Sequence, residues 1–171
     1  RLNRQDHAVA LEAVAIRELL DGVRSRLTTQ TERAGFELEF AVDETARDAV
    51  VLVDPDALTQ VFINLVDNAL KFAADAETRK LVVTARVSGD DRLILAVRDF
   101  GPGIPPTELK RLFELFYRPD NDLTRTTAGT GIGLALVRQL VVAMGGRVDV
   151  QNRAPGAEFR IELRRGKTAD S

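Results

Sequence analysis

The 171-residue sequence contains no cysteine, no tryptophan and a single histidine, His7. Without cysteine the chain has no disulfide, no thiolate metal site and no cysteine nucleophile, and one histidine excludes multi-histidine metal sites and most catalytic triads. No apolar run is long enough to cross a membrane. The formal net charge of −2 argues against a nucleic-acid-binding surface. The sequence therefore predicts a domain without nucleic-acid or direct membrane contact, in which local geometry would have to hold any anionic ligand.

The residues that are present are typical of one folded globular domain, with 44% hydrophobic and 29% charged residues. Apolar spacing predicts a helix from Ile16 to Leu27 and a second helix that begins at Asp54 and Pro55, a typical cap and first residue. A short helix near 106–114 and another ending at Gly145 and Gly146 follow. Strands are predicted at 36–42, 50–53, 80–87, 92–99, 147–152 and 157–163, with 9–14 as a further candidate. This order predicts an α+β two-layer sandwich, with helices covering one face of a mixed sheet.

The motif "NLVDNALKF" (64–72) places three polar residues on one stripe of the second helix, beside its apolar face. At about 100° per residue, Asn64, Asn68 and Lys71 lie in register. Any one of them is compatible with an ordinary solvated position. Together, however, an amide oxygen that suits Mg²⁺ and a lysine that suits phosphate indicate a Mg²⁺ and phosphate site.

The motif "DFGPGIP" (99–105) ends a predicted strand with an acid and then forms a glycine- and proline-rich turn. A plain turn capped by Asp99 would explain the pattern. The functional interpretation is that Asp99 accepts hydrogen bonds in a pocket that Gly101 and Gly103 leave open to a flat ligand. A carboxylate there would accept from the exocyclic amine of adenine and repel the carbonyl oxygen of guanine.

The motif "GTGIGLALV" (129–137) places three alternate glycines at the start of an amphipathic helix. Glycines allow a backbone to approach phosphates, and a helix N-terminus offers unpaired N–H groups. A dinucleotide fingerprint would need a glycine at Leu134 and a preceding strand, and a Walker A loop would need Gly-Lys-Ser/Thr. Neither pattern is present, so phosphate binding by a different glycine-rich loop is the remaining functional interpretation.

With "LFELFYR" (112–118), these motifs closely resemble, in order and spacing, the N, G1, F and G2 boxes of the catalytic and ATP-binding domain of sensor histidine kinases. Such kinases are members of the GHKL ATPase superfamily, whose ATP-binding unit is the Bergerat-type fold. The resemblance covers nearly the whole chain and implies a protein-histidine kinase that uses ATP and Mg²⁺. It would phosphorylate a histidine on a helical dimerisation and phosphoacceptor domain of its own protein, for transfer to the receiver domain of a response regulator.

The resemblance also implies a role for each residue of the nucleotide site. Asn68 would be the Mg²⁺ ligand, supported by Asn64, and Lys71 would reach the phosphates. Phe72 would pack near the base, and Asp99 would accept from the amine of adenine. The other cofactor-binding residues would shape the base pocket or bring backbone N–H groups to the phosphates: Gly101, Gly103, Ile104, Gly129, Thr130, Gly131, Ile132, Gly133 and Leu134.

In the same resemblance, residues 118–128 would form a lid over the nucleotide. Arg118 and Arg125 would offset charge on the transferring phosphoryl group. With Asn64 and Lys71 they are the candidate catalytic residues. ATP hydrolases of the superfamily carry a glutamate at the position that corresponds to Asn64, where it acts as general base for water. An amide cannot take that proton, so asparagine here favours transfer to an imidazole nucleophile over hydrolysis.

Three residues depart from the family pattern: Leu115 replaces a usual proline, Leu123 a common lid arginine and Ala128 a common glycine. Because of Leu123, a nucleotide-sensing module without transfer is one alternative, and a GHKL serine kinase of the anti-sigma type is another. His7 lacks the His-Glu/Asp pattern of a phosphoacceptor, so we interpret it as an exposed linker histidine.

The expected organisation has three segments, which are a link to an upstream helical domain (1–8), the ATP-binding domain (9–164) and a polar tail (165–171). The resemblance implies a cytoplasmic location for this domain and leaves open a membrane anchor in the full-length protein.

Overall fold

A computed structural model describes residues 8–117 and 130–166, except the side chains of 113, 115–117 and 130–132. The strands are β1 (Glu12–Ala15), β2 (Glu37–Val42), β3 (Val50–Val53), β4 (Lys80–Ser88), β5 (Arg92–Asp99), β6 (Arg147–Asn152) and β7 (Ala157–Arg164). The helices are α1 (Ile16–Arg33), α2 (Glu44–Arg47), α3 (Pro55–Phe72), α4 (Pro106–Tyr117) and α5 (Thr130–Ala143). None of the described helices is both long and apolar enough to span a bilayer.

Five strands form a mixed sheet in the order β2-β4-β5-β7-β6. Strand β2 is parallel to β4, and the other neighbours are antiparallel. Strands β1 and β3 form a separate antiparallel pair. A bridge between Val51 and Arg165 joins this pair to the chain that follows β7. The predicted mixed sheet is therefore confirmed, with a second, two-stranded sheet beside it.

Buried and more exposed residues alternate along the strands, and this alternation produces the two layers. In β4, Leu81, Val83 and Ala85 are buried, while the residues between them are partly exposed. This period of two places one face of the sheet against the apolar stripes of the helices. Buried residues of α1, α3 and α5 join those of the strands in one continuous core. The predicted two-layer α+β sandwich is confirmed.

Helix α3 carries the first motif, and its start is fixed by its cap. One oxygen of the Asp54 carboxylate, Oδ1, accepts from the backbone N–H groups of Asp56 at 3.0 Å and Ala57 at 3.2 Å, and Pro55 is the first helical residue. The other oxygen, Oδ2, accepts from the N–H of Ala10 at 3.0 Å. The predicted cap is confirmed, and the same carboxylate also binds the segment before β1.

Two details of the fold differ from the sequence-based expectation. Helix α2 was not predicted, because four residues are too few to show a helical period. The segment predicted as a polar tail begins with two residues bound to the fold. The N–H of Arg165 donates to the carbonyl of Asp91, and that of Gly166 donates to the carbonyl of Val50, both at 2.8 Å.

Candidate functional site

The three polar residues of the first motif lie on one stripe of α3 and differ in their burial. Asn68 is only 2% exposed, Asn64 is partly buried, and the Lys71 side chain is half exposed. Along the helix, the stripe therefore passes from a partly buried residue through a buried one to an exposed one.

Asn68 has one paired and one unpaired end of its side-chain amide. Its Nδ2 donates to the carbonyl of Asn64 at 2.8 Å. Its Oδ1 is buried and has no hydrogen-bond partner among the described residues. Since buried acceptors are almost always paired, an orphan of this kind marks a position for a ligand.

The start of α5 meets α3 at these two asparagines. The Nδ2 of Asn64 donates to the carbonyl of Gly133 at 3.4 Å. A Cβ atom at Gly133 would lie 3.7 Å from the Nδ2 of Asn68, an ordinary contact distance. The first and third motifs thus lie together, with the backbone of the first turn of α5 beside the asparagines. We call Asn64, Asn68 and Gly133 the amide end of the site.

Lys71 forms an ion pair with a residue of its own helix. Its Nζ lies 3.2 Å from the carboxylate of Asp67, one turn earlier, and both side chains are about half exposed. An exposed pair of this type contributes about 0–1 kcal/mol, so exchanging the carboxylate for a phosphate would cost little.

Asp99, the last residue of β5, is completely buried. Its Oδ1 accepts from the N–H of Gly101 at 2.9 Å, and its Oδ2 has no partner among the described residues. Burial raises the pKa of Asp99 above its ordinary value, against the opposing effects of the N–H groups of Gly101 and Ala157 and the charge of Arg98. A buried carboxylate with one unpaired oxygen is a strong acceptor for a ligand donor.

The turn after Asp99 lies directly on the end of α3. A Cβ atom at Gly101 would lie 2.8 Å from the Cα of Ala73, too close for any side chain. Positions 64 and 73 are about 13 Å apart along the helix at 1.5 Å per residue. Helix α3 therefore joins the second motif, at its C-terminal end, to the third motif, which contacts it near its middle.

Two functional candidates at this turn were missed from the sequence. The side-chain amide of Asn152 accepts from the N–H of Ile104 at 2.8 Å through Oδ1 and donates to the carbonyl of Ile104 at 3.0 Å through Nδ2. Gly156, at φ +97°, lies against the carbonyl of Asp99 so closely that any side chain would overlap it. Residues 99–104 with Asn152 and Gly156 are called the base end of the site. No local signal in the β6–β7 hairpin indicates these contacts, since Asn152 binds 48 residues away.

The remaining predicted site residues divide into core and undescribed positions. Phe72 is partly buried and its ring stacks on that of Phe159, with centroids 6.2 Å apart. Ile104 and Leu134 are buried in the core. Thr130, Gly131 and Ile132 begin α5, but the structure does not describe the side chains at these positions. The predicted lid at 118–128, with Arg118 and Arg125, and also Gly129, lie outside the described residues.

In the described part of the chain, no three His, Cys, Asp or Glu residues cluster so as to hold a metal ion. A divalent ion at this site would therefore depend on few protein ligands, and the unpaired Oδ1 of Asn68 is suited to be one. Mg²⁺ commonly binds in this way, through one or two protein oxygens together with phosphates and water.

The chain belongs to the family of histidine kinase-, DNA gyrase B- and HSP90-like ATPases, whose family model matches residues 53–167. Within that class it is 36% identical over 151 residues to the sensor histidine kinase AruS of Pseudomonas aeruginosa. That alignment covers 87% of this chain but only 15% of AruS.

Solved structures of sensor kinases have the same fold. The full-length structure of ShkA in complex with AMPPNP has a TM-score of 0.74 and 31% identity, covering 94% of this chain and 32% of ShkA. The mycobacterial sensor histidine kinase MprB has a TM-score of 0.67 and 28% identity, covering 91% of this chain and 98% of that one. The predicted family is therefore confirmed.

Proposed function

We propose that this domain binds ATP with Mg²⁺ and transfers the γ-phosphoryl group to a histidine on a helical domain of the same protein. The receiver domain of a response regulator would then accept the group on an aspartate. The observation that carries the proposal is the pair of buried, unpaired acceptors, Asn68 Oδ1 and Asp99 Oδ2. Residues 9–164 would form the ATP-binding unit, located in the cytoplasm, with residues 1–8 as the link to the helical domain.

Adenine fits the base end because of the chemistry of Asp99. Its buried Oδ2 can only accept when the carboxyl is ionised, and the exocyclic amine of adenine supplies a donor. Guanine presents a carbonyl oxygen at the equivalent position, and two acceptors facing each other in a buried site would repel. The ring of Phe72, held on Phe159, offers an apolar surface for the base.

The phosphates and Mg²⁺ fit the amide end. When bound, Mg²⁺ would neutralise charge on the phosphate oxygens, and Asn68 Oδ1 is the protein ligand we assign to it. The backbone at the start of α5, including Gly133, would donate N–H groups to the phosphates, and Lys71 would leave Asp67 to add a positive charge. Arg118 and Arg125 would act from the lid on the transferring group.

Asn64 supports transfer rather than hydrolysis. Its Oδ1 already accepts from Nε2 of Gln60 at 3.2 Å, and its Nδ2 donates to the carbonyl of Gly133. An amide held in this way neither takes a proton from water nor aligns it as a base would. An imidazole acceptor needs no such base, because its free ring nitrogen is already a nucleophile.

Incubating the full-length protein that contains this domain with γ-labelled ATP tests the proposal. We expect label that is lost in acid and retained in base, as phosphohistidine requires, and its absence in the Asn68→Ala variant. Acid-stable label on serine would overturn the histidine assignment in favour of the serine kinase. ATP binding without any transfer would overturn it in favour of a nucleotide-sensing module.

A further inference from the structure

We infer that Asn152 is a positioning residue for nucleotide recognition, whose side chain holds the turn after Asp99 in the shape that selects adenine. The inference rests on the proposed function and extends it to a residue outside the four motifs. Asn152 is the last residue of β6, which is an edge strand of the sheet. Strand β7 lies between β6 and β5, the strand that ends at Asp99.

The contact between Asn152 and Ile104 is a reciprocal pair of hydrogen bonds. One amide group accepts from the N–H of Ile104 and donates to the carbonyl of the same residue, at 2.8 and 3.0 Å. A neighbouring strand would supply this pattern of one donor and one acceptor. The turn has left the sheet at this point, so the side chain of Asn152 takes the place of a strand and holds the buried Ile104.

Gly103 makes this contact possible. It has φ +89°, a conformation that favours glycine, and a Cβ atom there would lie 3.0 Å from the Oδ1 of Asn152. The asparagine and the glycine are therefore matched, since a side chain at 103 would push the amide away from Ile104.

The same end of the β6–β7 hairpin also holds Asp99. Asn152 pairs in register with Ala157, whose backbone N–H opposes the rise in the pKa of Asp99. Gly156 lies on the Asp99 carbonyl. The hairpin thus packs on the backbone of Asp99 and, through Asn152, holds the turn that follows it. A shift of the turn would move the walls of the base pocket relative to the unpaired Oδ2.

Of asparagine, aspartate and alanine, only asparagine satisfies both partners in this space. Aspartate keeps the acceptor for the Ile104 N–H but places a second oxygen against the Ile104 carbonyl, and alanine removes both bonds. Asn152→Asp has almost the same volume as the native residue, so it separates the hydrogen bonds from packing.

The test compares the binding of ATP with that of purine riboside triphosphate, which lacks the exocyclic amine. We expect Asn152→Ala and Asn152→Asp each to weaken ATP binding about tenfold. The preference for ATP over the analogue should also fall. The amide hydrogen of Ile104 should exchange with solvent faster than in the unaltered protein. Gln151→Ala is the matched control, because the side chain of that neighbour binds Glu158 and not the turn. It should leave both affinities unchanged.

The outcomes separate this inference from the proposed function. If the unaltered protein does not bind ATP, the proposed function fails. If it binds ATP and both Asn152 variants keep the native affinity and preference, the positioning role is wrong. Equal loss of affinity for both nucleotides, with an unchanged ratio, would also overturn it, because a general structural defect would act in that way.

Discussion

Glycine has different neighbours at the two ends of the site. At the base end, a Cβ atom at Gly101 would lie 2.8 Å from the Cα of Ala73, and one at Gly156 would overlap the carbonyl of Asp99. At the amide end, a Cβ atom at Gly133 would meet nothing nearer than the Nδ2 of Asn68 at 3.7 Å. At the base end, backbone therefore packs tightly on backbone, whereas at the amide end Gly133 faces side-chain amides at ordinary contact distance.

Because of this difference, we expect substitutions at the two ends to have different effects on stability and on binding. The shape of the base end is part of the folded core, so we expect changes to its glycines to cost stability as well as binding. The amide end contributes hydrogen-bonding atoms on a helix that would form without them, so changes there should cost binding alone.

The largest effect is expected for Gly156→Ala. Its φ of +97° strains any other residue, and the added Cβ atom would also overlap the Asp99 carbonyl. Strain and overlap together should lower the free energy of unfolding by about 3 kcal/mol or more, measured by urea denaturation. Gly89→Ala is the control, because Gly89 has φ +70° but nothing within 4 Å. It should lose only about 1–2 kcal/mol, and equal losses at the two positions would remove the distinction drawn for the base end.

Asn68→Ala should abolish Mg²⁺-dependent binding of ATP with little change in stability. We expect affinity measured by calorimetry to fall roughly 100-fold in Mg²⁺, since even indirect metal partners are worth 10–100-fold. Affinity in EDTA should change little, and the free energy of unfolding should stay within about 1 kcal/mol. Asp56→Ala, an exposed change in the first turn of the same helix, is the control. Undiminished affinity for ATP in Mg²⁺ would show that the metal assignment is wrong.

Asp99→Asn tests the chemistry of the base end while keeping its shape. The amide can place donors where Oδ2 now accepts, so the amine of adenine would meet a donor. A hydrogen bond to a charged group is worth about 1.5–3 kcal/mol, so ATP affinity should fall about 10- to 100-fold. Nucleotides with a carbonyl at that position, such as GTP, should lose less. An unchanged preference for ATP over GTP would contradict the role given to Asp99.

A smaller effect is expected for the pH dependence of stability without nucleotide. Burial raises the pKa of Asp99 above its ordinary value of 3.8, so the folded domain holds this proton more tightly than the unfolded chain does. The resulting stability is fully present below pH 3.8 and is lost as pH rises through the folded-state pKa. Over that window, urea unfolding should show the native protein losing stability relative to Asp99→Asn. A difference that does not vary with pH would count against the raised pKa.

The smallest effect is expected for Gly133→Ala. Position 133 lies inside α5, where alanine is favoured over glycine by up to about 1 kcal/mol. With no close neighbour, the free energy of unfolding should rise slightly or stay constant. Gly22→Ala in α1, where a Cβ atom would have no neighbour within 4 Å, should behave in the same way. A clear loss at 133 alone would mean that the amide end is as tightly packed as the base end.

Much of the fold could be predicted because its signals are local. Asp54 and Pro55 predicted the start of α3, and the alternation in β4 and β5 predicted a hairpin with nearly the observed ends. The pairing of β1 with β3 was not predicted, nor was the parallel pairing of β2 with β4. Such pairings join distant segments, so no spacing within either segment encodes them.

The candidate site was predicted from the same kind of local signal. The motif residues Asn64 and Gly133 lie together, as a shared phosphate site requires, and Asp99 is buried with one unpaired oxygen. The roles assigned to these residues stay predictions until they are tested. Asn152 and Gly156 could not be found, because their importance lies in contacts across the sheet with Ile104 and Asp99.

The two unpaired acceptors also affect the folding equilibrium of the domain. A buried polar group without a partner costs about 1–3 kcal/mol, against a total stability of about 5–15 kcal/mol for a typical domain. A nucleotide that satisfies both groups binds only the folded form, and at a concentration 100 times its Kd it adds about 2.7 kcal/mol. The supply of ATP in the cell would then influence how much of the protein is folded and escapes proteolysis, as well as how fast it works.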